Sequence, residues 1–287
     1  AAWFGSVPSV PQACEGNEIS WETTAYEARG ELDLSGLSGE ESDELREALT
    51  ADLAAAKDYP ADTYFGGKAL YRDAQLYSIA RQLGAEEEAS AVRERVRETL
   101  VRWANPEGCT TEAAFCFGYD EVNRGIVGLT PSFGSDEFND HHFHYGYFLY
   151  AAGVLGADDP ELVEEIRPVM DLLAADIASS PANEYFPGRR TFDVYASHSW
   201  ASGTSPFADG NNQESSSEAV LAWAGLSLWA KASGQADLER EATWLHALEA
   251  QSARAYWTDF DESDPVYEGY GHTVIPLNFG GKRDYAT

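Results

Sequence analysis

Residues 131–152 read PSFGSDEFNDHHFHYGYFLYAA. The stretch sets three acids (Asp136, Glu137, Asp140) and three of the chain's six histidines (His141, His142, His144) among aromatic side chains. Neither an ordinary core helix nor a solvated one needs that mixture. A helix is expected from about Asn139 to Leu155, with apolar residues recurring at helical spacing. Its sense depends on what flanks it.

Upstream, Ser38-Gly39-Glu40-Glu41 is a capping box, in which the serine oxygen and the glutamate carboxylate satisfy free N–H groups at a helix start. Leu45, Leu49 and Leu53 then fall on one face. Residues 58–68, DYPADTYFGGK, read as a loop that breaks this helix. A helix through Leu76, Ile79 and Leu83 stops at Gly84, and another carries Val92, Val96, Leu100 and Trp103, so the two form an αα-hairpin. Residues 105–133 are loop-rich, with room for a short hairpin. Downstream, Asp159-Pro160 starts a helix with Leu162, Ile166, Val169, Leu173 and Ile177 on its apolar face, and Pro168 is expected to kink it. Residues 180–212 form a long loop of the kind that usually carries function. Helices near 213–233 and 237–254 complete the pattern, and the end from Trp257 is turn-rich.

Helix follows helix, with almost no strand alternation. The fold expected is all-α, an (α/α)6-barrel-type helical toroid. Only about seven of the roughly dozen helices of a closed barrel are legible, so the barrel is expected to be incomplete over these residues. Residues 1–37 read as a lead-in, and residues 38–287 as the barrel-type catalytic domain, truncated at its end.

Composition narrows the partners. The 287 residues are 44% hydrophobic and 13% aromatic, so they should fold. Nineteen basic against 49 acidic residues give a net charge of −30, which argues against nucleic acid and anionic membranes and favours a neutral substrate. No apolar run is long enough to cross a bilayer, and AAWFGSVPSV at the start is not a signal peptide. Cys14, Cys109 and Cys116 show no zinc or redox spacing. A Cys109–Cys116 disulfide would suit an exported enzyme; three buried free thiols are the alternative.

Asp140 and His144 are four apart and share a helix face, with Tyr147 one turn along the same stripe. Glu214 and Glu218 repeat the spacing in QESSSE, with serines between them. Acids on two helices are what glycosidic cleavage requires: one protonates the leaving oxygen and one activates water. Each pair alone reads more simply as an N-cap or a solvated face. Together, and flanked by histidines and aromatics, they point to a site facing the second unusual stretch, residues 192–218, across a sugar-binding cleft. Tyr64, Tyr147, Tyr195 and Trp200 are candidates to stack on a sugar, and Lys68, Asp136, His142, His198 and Asn212 to bind hydroxyls. The HHFH cluster raises a metal-dependent hydrolase or lyase as an alternative, although helical zinc motifs place ligands at i and i+4 and only Asp140 and His144 do so. A non-catalytic glucan-binding fragment is the other.

FNDHHFHYGYFLYAA (138–152), FDVYASHSWASG (192–203) and DGNNQESSSEAV (209–220) resemble glycoside hydrolase family 81, the endo-β-1,3-glucanases. DTYFGGKAL (62–70) and GGKRDYAT (280–287) are weaker matches. The resemblance implies an (α/α)6 catalytic domain, an inverting mechanism and no cofactor or metal. It makes Asp140 the general acid, places His144 beside it, and offers Glu214, then Glu218, as the base. It departs from the family where a glycine before the histidine and a lysine before NQES are expected. A secreted monomer acting on β-1,3-glucan is the resulting expectation.

Overall fold

Local caps decide where the helices begin, and the caps place the loops that carry the candidate residues. The computed structural model describes residues 24–205 and 210–280. Cys14, residues 206–209 and all but the first residue of the GGKRDYAT end lie outside the described residues.

Helix α1 (Gly39–Ala54) opens on the capping box: Ser38 Oγ accepts the Glu41 N–H at 3.3 Å and the Glu41 carboxylate accepts the Ser38 N–H at 2.8 Å. Helix α2 (Phe65–Gln82) corrects the loop reading of 58–68. Asp62 accepts the N–H groups of Tyr64 and Phe65 at 2.9 and 2.8 Å and starts the helix before Lys68. The two glycines in its first turn are spacers. A Cβ at Gly66 would lie 2.5 Å from the Pro60 carbonyl oxygen, and one at Gly67 would lie 3.2 Å from Tyr147 and Phe148.

Gly84, at φ +67°, turns the chain into α3 (Glu86–Trp103). A short helix α4 (Gly108–Thr111) follows, and Cys109 is disulfide-bonded to Cys116. The hairpin for which 105–133 has room is present: β1 (Phe117–Asp120) pairs antiparallel with β2 (Gly125–Gly128). Helix α5 (His141–Gly156) precedes α6 (Pro160–Ala178), whose cap Asp159 accepts the Leu162 N–H at 2.9 Å. Helix α6 continues through Pro168, with Ile166 and Met170 anchored in the core on either side. The long loop holds two short strands, β3 (Phe192–Asp193) and β4 (His198–Ser199), which pair with each other. Then come β5 (Asn211–Gln213), α7 (Ser216–Ala232), α8 (Ala236–Ala253) and β6 (Asn278–Gly280), with β5 and β6 paired.

The helices make three hairpins, α2/α3, α5/α6 and α7/α8, arranged as an α/α toroid-type fold. Helices α2, α5 and α7 are neighbours in one layer and run parallel. Gly67 faces Tyr147 while Tyr71 faces Tyr150, and Gly146 faces Ala222 while Gly153 faces Leu228. Helices α3 and α6 are neighbours in the outer layer, where the Arg93–Asp159 and Arg97–Glu165 pairs give them a common direction. All the inner helices therefore start at one end of the molecule.

Helix α5 is the centre of the fold, and every residue of it except Val154 is buried. Gly146 and Gly153 let its backbone meet α7 closely: a Cβ at either would lie 2.5 or 2.6 Å from α7 backbone atoms. Gly225 answers from α7, where a Cβ would lie 2.5 Å from the Gly146 carbonyl oxygen. The histidine-rich motif is thus core over most of its length. Residues 24–37 lie along the opposite end of the inner helices. There the Gly30 carbonyl accepts from Tyr150 Oη at 3.0 Å and Ser78 Oγ at 3.2 Å.

Candidate active site

Asp140 stands where the turn before α5 becomes helix. It occupies the N-cap position, yet its side chain caps nothing. Its backbone is left-handed, φ 58°, which an aspartate tolerates better than most residues. Phe138, two residues earlier, is left-handed as well at φ 67°, a conformation that costs a bulky residue of order 1–3 kcal/mol. The surroundings hold it there. The Arg190 guanidinium lies 4.5 Å from the Phe138 ring centre, and His141 stacks on that ring at 4.6 Å. His141 Nδ1 meets Asp176 at 2.7 Å and its Nε2 meets the Ser135 carbonyl at 2.8 Å. Asp176 in turn pairs with Arg190 at 3.1 Å and accepts the Ile126 N–H at 2.9 Å. This buried cluster fixes the turn, and the turn frees the Asp140 carboxyl to face outward.

Glu214 lies between β5 and α7, and Asp140 and Glu214 line one cleft of about 330 Å³ with Phe133, Asn139, Ala201, Ser202, Gly210, Asn212 and Phe279. Larger hollows, of about 510, 720 and 940 Å³, hold neither carboxyl group. Glu214 is exposed, and its carboxylate takes no hydrogen bond from the described residues. Glu218, in the first turn of α7, is held instead. Tyr147 Oη donates to it, Lys68 Nζ lies 3.5 Å away, and Ser215 adds a further hydrogen bond. Lys68 also donates to Tyr64 Oη at 3.0 Å.

The electrostatics set Asp140 apart from Glu218. Burial, then the charges of Glu214 and Glu218, push Asp140 up to about 7, so it keeps its proton in mildly acidic water. Burial alone would raise Glu218 too, but the hydrogen bonds from Ser215 and Tyr147 and the Lys68 charge outweigh it and bring Glu218 below its ordinary value. Asp140 thus holds its proton close to a Glu218 carboxylate that gives its own up more readily, a division of the kind that acid–base cleavage needs.

The other candidates divide. Tyr64, Lys68 and Tyr147 gather around Glu218, with Tyr147 buried and acting through its hydroxyl. Asn212 lines the cleft, and Asp136 is exposed on the turn before Asp140. His144 stands buried one turn after Asp140, its Nδ1 2.8 Å from Thr63 Oγ1; burial takes it down to about 3, so the ring is neutral. His142 is not brought to the cleft. Its position on the helix turns it toward α7, where it stacks near Trp223 and its Nε2 meets Ser199 Oγ at 2.9 Å. His198, expected on the rim, is buried against Trp200 and Trp257, with Nδ1 donating to the Ser199 carbonyl at 2.8 Å. Trp200 packs at the Gly280 backbone and donates to Asp193 at 3.1 Å. Tyr195 is exposed.

Because successive helix residues turn by about 100°, the three histidines reach three different protein partners, Asp176, Ser199 and Thr63. Among the described residues no group of three or more His, Cys, Asp or Glu is placed to hold a metal ion. Aromatics at the cleft escaped the sequence reading: Phe133 and Phe279 line it, and Phe65 packs beside Phe133. Phe133 is 58% exposed and Phe65 52%, with ring centres 4.7 and 5.1 Å from Tyr64. Their signal was a phenylalanine in a Ser-Phe-Gly turn and another before a glycine pair, places where a core residue is not expected.

Comparison with known proteins identifies the family of the chain. The sequence profile described as glycosyl hydrolase family 81 C-terminal domain matches residues 36–287. A glucan endo-1,3-beta-D-glucosidase of Acetivibrio thermocellus is 40% identical over 247 residues, covering 83% of this chain and 31% of its own. One from Thermobifida fusca is 34% identical over 290 residues, covering 98% and 37%. A solved structure of a family 81 glycoside hydrolase from Clostridium thermocellum, a point mutant, superposes with a TM-score of 0.74 at 34% identity, over 83% of this chain and 34% of that one. The chain thus spans about a third of the length of the relatives it matches.

Proposed function

This chain belongs to glycosyl hydrolase family 81, and we propose from that membership and from its paired acids that it cleaves internal β-1,3-glucosidic bonds by inversion, with residues 38–287 as the catalytic unit. The observation that carries the reading is the shared cleft. Asp140, kept protonated, shares it with a Glu214 carboxylate that takes no hydrogen bond from the described residues. Asp140 gives its proton to the glycosidic oxygen as the bond breaks. Glu214 takes a proton from the water that attacks the anomeric carbon on the opposite face. Glu218, fixed by Tyr147, Lys68 and Ser215, orients that water or holds a sugar hydroxyl. Tyr64, Phe65 and Phe133 offer flat apolar faces beside the acids, suited to the C–H face of a glucose ring.

The relatives named above are glucan endo-1,3-beta-D-glucosidases, which supports a β-1,3-glucan as the polymer cut here. The net charge of −30 favours an uncharged polysaccharide over a polyanion. An oxidising, extracellular setting accords with the Cys109–Cys116 disulfide. No helix among the described residues is long and apolar enough to cross a membrane.

The test is release of reducing ends from laminarin by the wild-type chain and by Asp140→Asn. The amide keeps the shape and loses the transferable proton, so a loss of about 10²–10⁴-fold in kcat is expected with laminarin binding retained. Binding without hydrolysis by the wild type would make the chain a glucan-binding module, and near-native activity of the variant would remove Asp140 as the acid.

A further inference from the structure

A short piece of backbone ties the turn that carries Asp140 to the strand that leads into Glu214. The Asp140 N–H donates to the Ala201 carbonyl at 2.8 Å, and the Ala201 N–H donates to the Asn212 carbonyl at 2.7 Å. Asn212 is two residues before Glu214. Ala201 therefore bridges the turn that carries the acid and the strand that leads into the base. The neighbouring residues repeat the bridge. Gly203 N donates to Asn139 Oδ1 at 3.1 Å, while Ser202 and Asn211 exchange two hydrogen bonds, both 2.8 Å. The spacing of the acids is thus set through this segment as well as through the packing of α5 on α7.

What anchors the segment is Ser199, whose every polar atom is engaged. Its carbonyl accepts from Gln213 Nε2 at 2.7 Å, and its hydroxyl meets Gln213 and His142 at 3.0 and 2.9 Å. Its N–H donates at 2.7 Å to Oε2 of Glu249 on α8. Glu249 is 1% exposed, and Trp223 Nε1 donates to the same oxygen at 3.0 Å. A fully buried carboxyl group with no cation beside it among the described residues is expensive to keep in a core, and nothing in the cleavage scheme above uses it.

We propose that Glu249 is a positioning residue for the acid–base pair: by holding the Ser199 N–H it fixes the Ser199–Ala201 backbone as the spacer between the Asp140 turn and the strand before Glu214. This rests on the hydrolytic reading of the same site. Burial pushes Glu249 up to about 8, so it serves near neutral pH as an uncharged acceptor. One oxygen receives both donors, so a glutamine carbonyl can take its place.

The proposal makes a pattern that a merely structural role would not produce. Glu249→Leu leaves the Ser199 and Trp223 N–H groups without acceptors and frees the spacer. Its kcat on laminarin should fall about 10- to 100-fold with KM within about twofold, because a small displacement of reacting groups costs rate before it costs binding. Glu249→Gln should restore most of that loss. Trp223→Phe removes the other bond to Glu249 and the same core donor, but not the link to the spacer; it should lower the melting temperature and keep kcat. A second readout needs no turnover. In carbon-13 NMR of labelled aspartate, Asp140 should titrate at lower pH in Glu249→Leu than in wild type and be unmoved in Trp223→Phe, since the leucine variant lets the acids separate and hydrate. Measured well below each melting point on the full chain, equal kcat and equal Asp140 titration in wild type and Glu249→Leu would overturn the proposal. So would parallel losses in Glu249→Leu and Trp223→Phe. A wild type inactive on laminarin, with Asp140 still moved by Glu249→Leu alone, would overturn the hydrolytic reading and leave the positioning of the carboxyl pair standing.

Discussion

Asp140 carries opposite demands on stability and chemistry. Its carboxyl is raised above the unfolded value by burial and by Glu214 and Glu218. The native state therefore holds a proton that the unfolded chain releases, and the residue costs stability as pH rises from the unfolded value through about 7. Asp140→Asn removes that cost and, because asparagine also tolerates a left-handed backbone, adds no strain. The variant should melt higher than wild type at pH 8, by the equivalent of about 1–4 kcal/mol, and show little difference at pH 4. Thermal scans at the two pH values check this; a variant that is less stable at pH 8 would contradict it. Glu214→Gln tests the coupling from the other side. Removing one of the charges that raise Asp140 must bring its titration to lower pH, a change to be read by carbon-13 NMR because the base variant is expected to turn over too slowly for a rate profile.

Residue identity and spacing singled out these acids in the sequence, Asp140 with His144 and Glu214 with Glu218, although the expected helix reaches only Glu218, because α7 starts at Ser216 and Glu214 precedes it. It could not show which histidines face the cleft. In the run His141-His142-Phe143-His144 every side chain is chemically competent, and only the packing of α5 sends His141 to Asp176 and His142 to Ser199. His198 misled for the same reason. A histidine between serines reads as exposed, and the tryptophans that bury it, Trp200 and Trp257, include one far along the chain.

At the scale of elements, the seam between α5 and α7 holds the acids' two helices in register. Gly146 meets the Ala222 backbone, and any Cβ there must push α7 away. Gly146→Ala should therefore destabilise the fold by about 1–3 kcal/mol or more, and it should lower activity through the displaced α7. Gly84→Ala is the comparison. It has open space around its Cβ position but a φ of +67°, so it should cost only about 1 kcal/mol and leave activity unchanged. Urea unfolding with parallel laminarin assays separates the two. Helix starts were legible where a cap is written in adjacent residues, as at Ser38 and Asp159. The start of α2 was not, because Gly66 and Gly67 look like breakers until the partners that require them, Pro60, Tyr147 and Phe148, are in place.

For the molecule as a whole, the parallel inner helices bring Lys68, Asp140 and Glu218 to one end from three separate elements. The paired-helix class was legible from periodicity. The three small ribbons were not, since strands of two to four residues leave too few positions for an alternation to register. The central claim is that a water activated by Glu214 attacks on the face opposite the oxygen protonated by Asp140. Proton NMR of the first laminarin product, recorded before mutarotation, tests it most directly. Inversion of a β-bond must release the α-anomer first, and initial release of the β-anomer would contradict the account.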